Sequence, residues 1–281
     1  MHEVDCYNCG SDIYTYYASE NGFDLVKCSE CGLLFVNPWP TEEDIEQAHK
    51  MGVHRGSEVL LTTGDFIPQK IENYLGVLKD IFPNYLMLSG KKWLDIGCGY
   101  GEFLEALKIF TKNGVEAKGI EPNIYKQESA RKRGLDVSFF DIEQHNFTYD
   151  VISFLNVYSH LTDPPKSFQS WKSLMNLEGE LLLETGDTAD LDSKDHHRPF
   201  NLPDHLSFAS ENIVTDILVR TGFEVLDVKI YPYNELSLNL LVKEFIKIFL
   251  PHKHSRFVYL MNPKSYANRD MYIRARLINK K

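Results

Sequence analysis

The sequence predicts an α/β fold in which helices cover both faces of a mostly parallel, doubly wound sheet of seven strands, with a small cysteine module ahead of it. Three observations lead to this prediction. From residue 91 onward short apolar segments alternate with helical patterns, glycines cluster directly after the first such segment, and four of the five cysteines lie in the first 31 residues. With 281 residues and 43% hydrophobic content, the chain can bury one large core and a small satellite.

The cysteine module carries its cysteines in two C-x2-C pairs, Cys6 with Cys9 and Cys28 with Cys31. Two such pairs at this separation are typical of a tetrahedral, zinc-ribbon-like structural site, because thiolates two residues apart on a tight turn can face one ion. Disulfides are the alternative, and a reducing compartment disfavours them. The four cysteines therefore predict a structural zinc site, although the spacing alone does not distinguish zinc from iron.

The elements around this site follow from turn and helix signals. Asn21-Gly22 predicts a hairpin turn between two short strands, and a third apolar strand ends at prolines. Thr41 precedes an acidic helix, and apolar residues at helical spacing predict a second one. The predicted strands are 13–17, 23–27 and 32–40, and the predicted helices are 42–50 and 65–82. We divide this part into a module at 1–40 and a helical linker or lid at 41–90.

The main domain, 91–281, shows a regular alternation of strands and helices. The segment 149–155 is almost continuously apolar, as expected of a buried parallel strand, and Gly222 ends the last helix of the series. The predicted strands are 93–96, 118–121, 137–140, 149–155, 180–184, 223–230 and 271–278, and the predicted helices are 102–110, 125–133, 165–175 and 211–221. An amphipathic pattern predicts a helical insertion at about 236–262.

The glycine-rich loop after the first strand narrows the choice of ligand. Asp95 stands two residues ahead of Gly97, and Gly99 and Gly101 continue a G-x-G-x-G spacing. A nicotinamide cofactor is typically bound by G-x-G-x-x-G, so this spacing disfavours a nicotinamide oxidoreductase. The loop resembles motif I of the class I S-adenosylmethionine (SAM)-dependent methyltransferases, and the resemblance implies a Rossmann-like fold that binds SAM.

Later segments resemble further motifs of that family in the same order. Glu121 lies at the end of the second strand, where a carboxylate can accept hydrogen bonds from both ribose hydroxyls of a cofactor. This role suits NAD as well as SAM. The resemblance implies that Asp141 and Ile142 contact the adenine, and that the segment beginning at Asn156 passes beneath the methionine end of the cofactor.

Two histidines are the candidates for catalysis. A hydroxyl acceptor must lose a proton, which a histidine within hydrogen-bond reach can take. His205 lies in a segment that resembles the family's acceptor-binding stretch, and His160 follows the fourth strand. We expect His205 to be the general base and His160 the second choice. The alternative is that His205 is a structural histidine that anchors this loop.

The module and the main domain together resemble a bacterial group that includes deoxysugar C-methyltransferases and enzymes of cell-surface polysaccharide genes. The resemblance extends through the Gly32-Leu-Leu-Phe-Val-Asn-Pro-Trp-Pro40 segment. The sugar C-methyltransferases of this group carry a further C-terminal domain, and this sequence ends with the core fold. This difference disfavours C-methylation. The fourth strand is followed neither by the Asn/Asp-Pro-Pro-Tyr/Phe tetrad of amino-group methyltransferases nor by the Mg²⁺-binding aspartate of catechol-type O-methyltransferases. We therefore expect metal-independent O-methylation of a sugar, a polysaccharide precursor or another small hydroxylated molecule. The alternatives are C-methylation of a nucleotide-linked deoxysugar, an RNA methyltransferase whose zinc module captures substrate, and a non-catalytic SAM-fold partner protein.

Charge and hydropathy bear on partners and compartment. The formal net charge of −10 argues against nucleic acid as the substrate, since binding it requires a positive surface. No apolar run approaches the roughly 18 residues that span a bilayer, and no signal peptide opens the sequence. We expect a cytoplasmic enzyme that does not contact membranes, and the sequence leaves its oligomeric state open.

Overall fold

The computed structural model describes residues 2–45, 65–139, 147–232, 242, 245–246 and 269–278. Within this part the chain forms one four-stranded and one seven-stranded sheet. The predicted helix at 42–50 is described only to residue 45, and nearly all of the predicted insertion at 236–262 lies outside the described residues.

The seven-stranded sheet confirms the predicted mostly parallel architecture. Its strands are β4 (Lys92–Ile96), β5 (Glu116–Ile120), β6 (Val137–Ser138), β7 (Tyr149–Leu155), β8 (Met175–Gly186), β10 (Phe223–Pro232) and β11 (Arg269–Leu277). They lie in the order β10-β11-β8-β7-β4-β5-β6, and β11 alone runs antiparallel to its neighbours. The order reverses between β4 and β7, and the carboxyl ends of strands at such a switch point typically bound a ligand crevice.

Five helices with both ends in the described part of the chain flank these strands. They are α1 (Pro68–Ile81), α2 (Glu102–Phe110), α3 (Ile124–Lys132), α4 (Pro164–Trp171) and α5 (Glu211–Arg220). Side-chain oxygens of Asn123 and Asp163 accept backbone N–H groups at the starts of α3 and α4, and α1 and α4 begin at prolines, which suit a first helical turn. The sequence patterns thus located the helices, with ends shifted by a few residues.

One boundary was predicted wrongly. The helix expected at 165–175 ends at Trp171, a short 3-10 turn follows, and Met175 already belongs to β8. Met175 is buried and pairs with Tyr149 of β7, so the parallel ladder draws this backbone into the sheet. The pairing with a strand distant in sequence therefore outweighs the local helix propensity of these residues.

The small sheet is antiparallel and contains a strand that the sequence did not indicate. It is formed by β1 (Tyr14–Glu20), β2 (Phe23–Cys28), β3 (Leu34–Val36) and β9 (Ser207–Phe208), in that order. The first three belong to the cysteine module, whereas β9 comes from the segment that carries His205. The module is therefore hydrogen-bonded to the main domain.

Hydrophobic packing joins the same two parts. One core cluster combines Leu25 and Phe35 of the module with Trp171 of α4 and Ile217 of α5, all nearly inaccessible to solvent. A second cluster, on the side of α1 and α2, surrounds Trp93. The module thus completes the core on one face of the large sheet. No helix of the described residues is long and apolar enough to cross a bilayer.

Candidate active site

The four paired cysteines converge as the sequence predicts. The sulfur atoms of Cys6 and Cys31 lie 3.5 Å apart, as do those of Cys9 and Cys28, and all four lie within 4.8 Å of one another. Sulfurs around a tetrahedral zinc ion at 2.3 Å would be about 3.8 Å apart, so this donor set fits zinc. None of the cysteines forms a disulfide. The hydrogen bond between Cys6 and Cys31 lowers the pKa of Cys31 and, together with burial, raises that of Cys6, so this pair of sulfurs consists of one thiolate and one thiol.

The glycine-rich loop connects β4 to α2 and requires glycine at all three positions, though for different reasons. Gly97, Gly99 and Gly101 have φ values of 68°, 55° and 85°. A Cβ atom on Gly97 would lie 2.5 Å from Val157, and one on Gly101 would collide with Leu135. Gly99, by contrast, faces open space, with nothing within 4 Å of the Cβ position. Two glycines thus close the loop against the core, and the middle one leaves room for a ligand.

Glu121 holds this loop from the end of β5. Its buried carboxylate accepts the backbone N–H of Gly99 at 2.8 Å and that of Asn123 at 2.9 Å. Each carboxylate oxygen has a second lone pair, so Glu121 can accept further hydrogen bonds from a ligand beside Gly99. Asp141 and Ile142 lie outside the described residues.

Asp95 lies beneath the loop in a buried hydrogen-bond chain. Ser153 donates to Asp95 at 2.5 Å, and the indole N–H of Trp93 donates to Ser153 at 2.8 Å. Burial raises the pKa of Asp95 to about 7. These hydrogen bonds link β4 to β7, the two strands between which the strand order of the sheet reverses.

A cavity of about 420 Å3 opens at the carboxyl ends of β7 and β8, within the size range of small-molecule sites. Asn156, which follows β7 with φ 58°, lies at its edge, and the next residue, Val157, packs against Gly97. The cavity therefore adjoins the glycine-rich loop. Most of the lining is polar: Lys70, Asn73, Tyr74, Asn156, Ser159, Glu184, Thr185, Thr188, His197, Asn201, His205, Arg269, Asp270 and Tyr272.

The two candidate histidines meet beside this cavity. Their ring centroids are 4.8 Å apart, and His205 lines the cavity. Nδ1 of His160 lies 2.8 Å from the carbonyl oxygen of Asp204 and 3.3 Å from its carboxylate. One ligand atom from each of these three side chains falls within 4.8 Å of the others. That spacing alone would admit a metal ion, but the pairing of His160 with Asp204 points to proton transfer.

The two imidazoles have opposite protonation preferences. Burial alone would lower the pKa of His160, but the charge and hydrogen bonds of Asp204 outweigh it and raise that pKa. Burial, with a contribution from His160, lowers the pKa of His205 to about 3. Nδ1 of His205 has no hydrogen-bond partner among the described residues. The pair thus offers a neutral ring nitrogen beside the cavity and an Asp–His pair behind it that can hold a proton.

Two acidic groups of the cavity, Glu184 and Asp270, are not among the site residues that the sequence predicts. Glu184 lies on β8, and its Oε2 is buried with no hydrogen-bond partner among the described residues. Burial raises the pKa of Glu184 to about 8, with a contribution from the charge of Asp270, and burial raises that of Asp270 to about 6. The sequence could have indicated Glu184, because it is a charged residue at the end of an apolar strand, and that end lies beside Asn156.

Comparisons with known proteins identify the family and the fold of this chain. A family model described as a methyltransferase domain matches residues 71–228. The ubiquinone biosynthesis O-methyltransferase of Actinobacillus pleuropneumoniae serotype 7 (strain AP76) is 31% identical over 112 residues, which cover 35% of this chain and 47% of that protein. The match therefore spans about half the length of the curated relative.

Two solved structures share the fold. A putative sarcosine dimethylglycine methyltransferase from Galdieria sulphuraria superposes with a TM-score of 0.56 at 15% identity, covering 83% of this chain and 95% of that one. The cyclase SpnF superposes with a TM-score of 0.51 at 17% identity, covering 80% and 86%. These likenesses are evidence for the fold alone, and the second protein is named for a reaction other than methyl transfer.

Proposed function

The chain belongs to the family of methyltransferase domains, and from this premise we propose that it transfers a methyl group from SAM to a hydroxyl of a small acceptor. The observation that carries the proposal is the cavity next to the glycine-rich loop, with a neutral His205 on its wall and the His160–Asp204 pair behind it. SAM supplies a methyl group on a sulfonium, which is already strongly electrophilic. The chain must therefore bind, orient and deprotonate the acceptor.

The cofactor site in this proposal is built from the ends of β4, β5 and β7. The open face of Gly99 gives a nucleoside room against the backbone, and Glu121 has lone pairs for the ribose hydroxyls. Asn156 faces the methionine end, at the border of the two sites. Asp95 supports the loop through Ser153, and Asp141 and Ile142 are assigned to the adenine on the sequence pattern alone.

Proton removal falls to the two histidines. The acceptor hydroxyl would donate a hydrogen bond to the neutral imidazole of His205. As the new C–O bond formed and the bond between the methyl group and the sulfur of SAM broke, the proton would leave the oxygen for that ring, and the demethylated thioether would be the leaving group. With a pKa of about 3, His205 does not retain the proton, whereas Asp204 stabilises the protonated ring of His160. The proton would therefore pass through His205 to His160, so that His205 accepts it first and His160 holds it. We propose a metal-independent reaction, in which the His160–Asp204 pair holds the proton.

The acceptor class follows from the lining of the cavity. A space of about 420 Å3 suits one or two sugar-sized rings. With its pKa near 8, Glu184 is largely protonated at neutral pH and can both donate and accept hydrogen bonds. Paired donor and acceptor groups of this kind match a molecule with several hydroxyls. The sugar-like acceptor implied by the resemblance of the cysteine module is consistent with this lining.

Calorimetry on the purified protein tests the cofactor assignment. We expect binding of SAM and of its demethylated product, and no binding of NAD. A protein that binds neither SAM nor the demethylated product would refute the proposal. Transfer of an isotope-labelled methyl group to a panel of nucleotide-linked sugars, small phenols and total RNA then tests the acceptor class. Label found only in RNA, or attached to carbon, would contradict small-molecule O-methylation.

A further inference from the structure

The cysteine module contacts the loop beneath His205 through one carboxylate. Glu20, the last residue of β1, accepts the backbone N–H groups of Phe200, Asn201 and Leu202 at 2.8, 2.6 and 3.2 Å. Charge-assisted hydrogen bonds from three consecutive amides fix the path of that backbone. Asn21 adds a hydrogen bond of 2.8 Å to the carbonyl of Leu202. The hairpin of the module therefore fixes this part of the loop.

His205 rests on the same backbone. Its backbone N–H donates to the carbonyl of Asn201 at 3.0 Å, and the backbone of Phe200 acts on its imidazole, whose pKa it raises. Asn201 itself lines the cavity. The residues that Glu20 holds are thus the ones that support the imidazole.

A second contact reaches both histidines from beside the cysteine cluster. The hydroxyl of Tyr7, the residue after Cys6, donates to Ser207 at 2.9 Å and lies 3.1 Å from the hydroxyl of Tyr158. Ser207 belongs to β9, directly after the His205 segment, and Tyr158 opens the turn that ends at His160. One side chain of the module therefore contacts both segments that carry the histidine pair.

From these contacts we propose that the cysteine module is the scaffold of the acceptor side of the active site, and that Glu20 is a positioning residue for His205. The inference rests on the proposed function, because it gives the module a role in placing the proton acceptor. The segment between β8 and α5 contains only the two-residue strand β9 as regular structure, so its conformation depends on partners outside itself. The module supplies those partners through Glu20, Tyr7 and the pairing of β3 with β9.

The variant Glu20→Gln tests this role by nuclear magnetic resonance of the histidine rings. The glutamine keeps the size of the side chain but loses the charge, and its NH2 group cannot accept the loop amides. In the wild-type protein His205 should not titrate between pH 5 and 9, since its pKa is about 3. In Glu20→Gln we expect that pKa to rise toward its ordinary value of 6.5 as the loop admits water. SAM affinity should stay within about twofold of wild type.

Matched variants keep this test decisive. Glu3 is an exposed glutamate of the same module, and Glu3→Gln should leave both histidine signals unchanged. A folded Glu20→Gln protein with a wild-type His205 titration would overturn the inference, as would a wild-type His205 that titrates near 6.5.

If Glu20→Gln fails to fold, Tyr7→Phe provides the test and Tyr16→Phe its control. Tyr16 is an exposed tyrosine whose hydroxyl is hydrogen-bonded to the module residue Ser19. Tyr7→Phe should shift the His160 and His205 signals, and unchanged signals would overturn the inference. SAM binding by the wild-type protein, measured separately, reports on the proposed function and not on this role.

Discussion

At the scale of single residues, the first prediction concerns the imidazole of His205, whose Nδ1 has no hydrogen-bond partner in the described part of the chain. Removing the ring in His205→Ala should lower methyl transfer to the identified acceptor by about 100-fold or more, the usual contribution of a general base. SAM affinity should not change, because His205 lies on the acceptor side of Asn156. The assay is labelled-methyl transfer alongside calorimetry, with the exposed His2→Ala as control. Near-normal turnover would leave His205 with a structural role only.

The buried carboxyl of Glu184 predicts how stability depends on pH. Burial raises its pKa from 4.5 to about 8, so its contribution to stability is fully present below pH 4.5 and is lost as the pH rises toward 8. Glu184→Gln cannot ionise and should avoid that loss. We expect the variant to gain thermal stability relative to wild type progressively between pH 5 and 8, as measured by melting curves. A difference that does not vary with pH would mean that Glu184 keeps an ordinary pKa.

The residues of the site differ in how far the sequence reveals them. The four cysteines and the three glycines stand at fixed short spacings, so local chemistry identifies them. Glu20 and Tyr7 carry no such signal, because their partners, Phe200 and Ser207, are distant in sequence. Glu184 is an intermediate case, because the sequence predicted its strand but not its burial.

At the scale of elements, the loop between β4 and α2 yields a prediction that separates backbone strain from ligand contact. Gly99→Ala places a methyl group in the open space assigned to the cofactor, at a φ of 55° that costs about 1–2 kcal/mol. Gly90→Ala, in a turn with φ 74° and equally open surroundings, has the same backbone cost away from the site. Both variants should melt slightly lower, but only Gly99→Ala should lose SAM affinity, by more than about tenfold. Equal SAM affinities in the two variants would place the cofactor elsewhere.

The elements themselves show which information is local. The strands of the large sheet were predicted from patterns within their own residues, such as the almost continuous apolar run of β7. The strand β9 is two residues long, and it exists only because β3 lies beside it. The early start of β8 at Met175 likewise depends on β7. Pairing between distant segments is what the sequence pattern could not supply.

At the scale of the whole molecule, the joint core of module and main domain predicts that metal binding and overall folding are linked. Leu25 and Phe35 of the module belong to the same buried cluster as Trp171 and Ile217. Metal binding to the four cysteines contributes its free energy to the folded state, so loss of the ion should weaken this cluster as a unit. A strong chelator should therefore lower the melting temperature of the whole chain in a single transition.

Calorimetric melting before and after chelation measures this linkage, and elemental analysis identifies the metal as zinc or iron at one ion per chain. Cys9→Ser, which changes an exposed ligand with little effect on packing, should reproduce the effect of the chelator, whereas the exposed Ser29→Ala should not. If the main transition stayed in place while a separate small transition disappeared, the module would fold independently. In that case the main domain would stay folded after the module has melted, and the contacts of the module with the loop beneath His205 would not contribute to its stability.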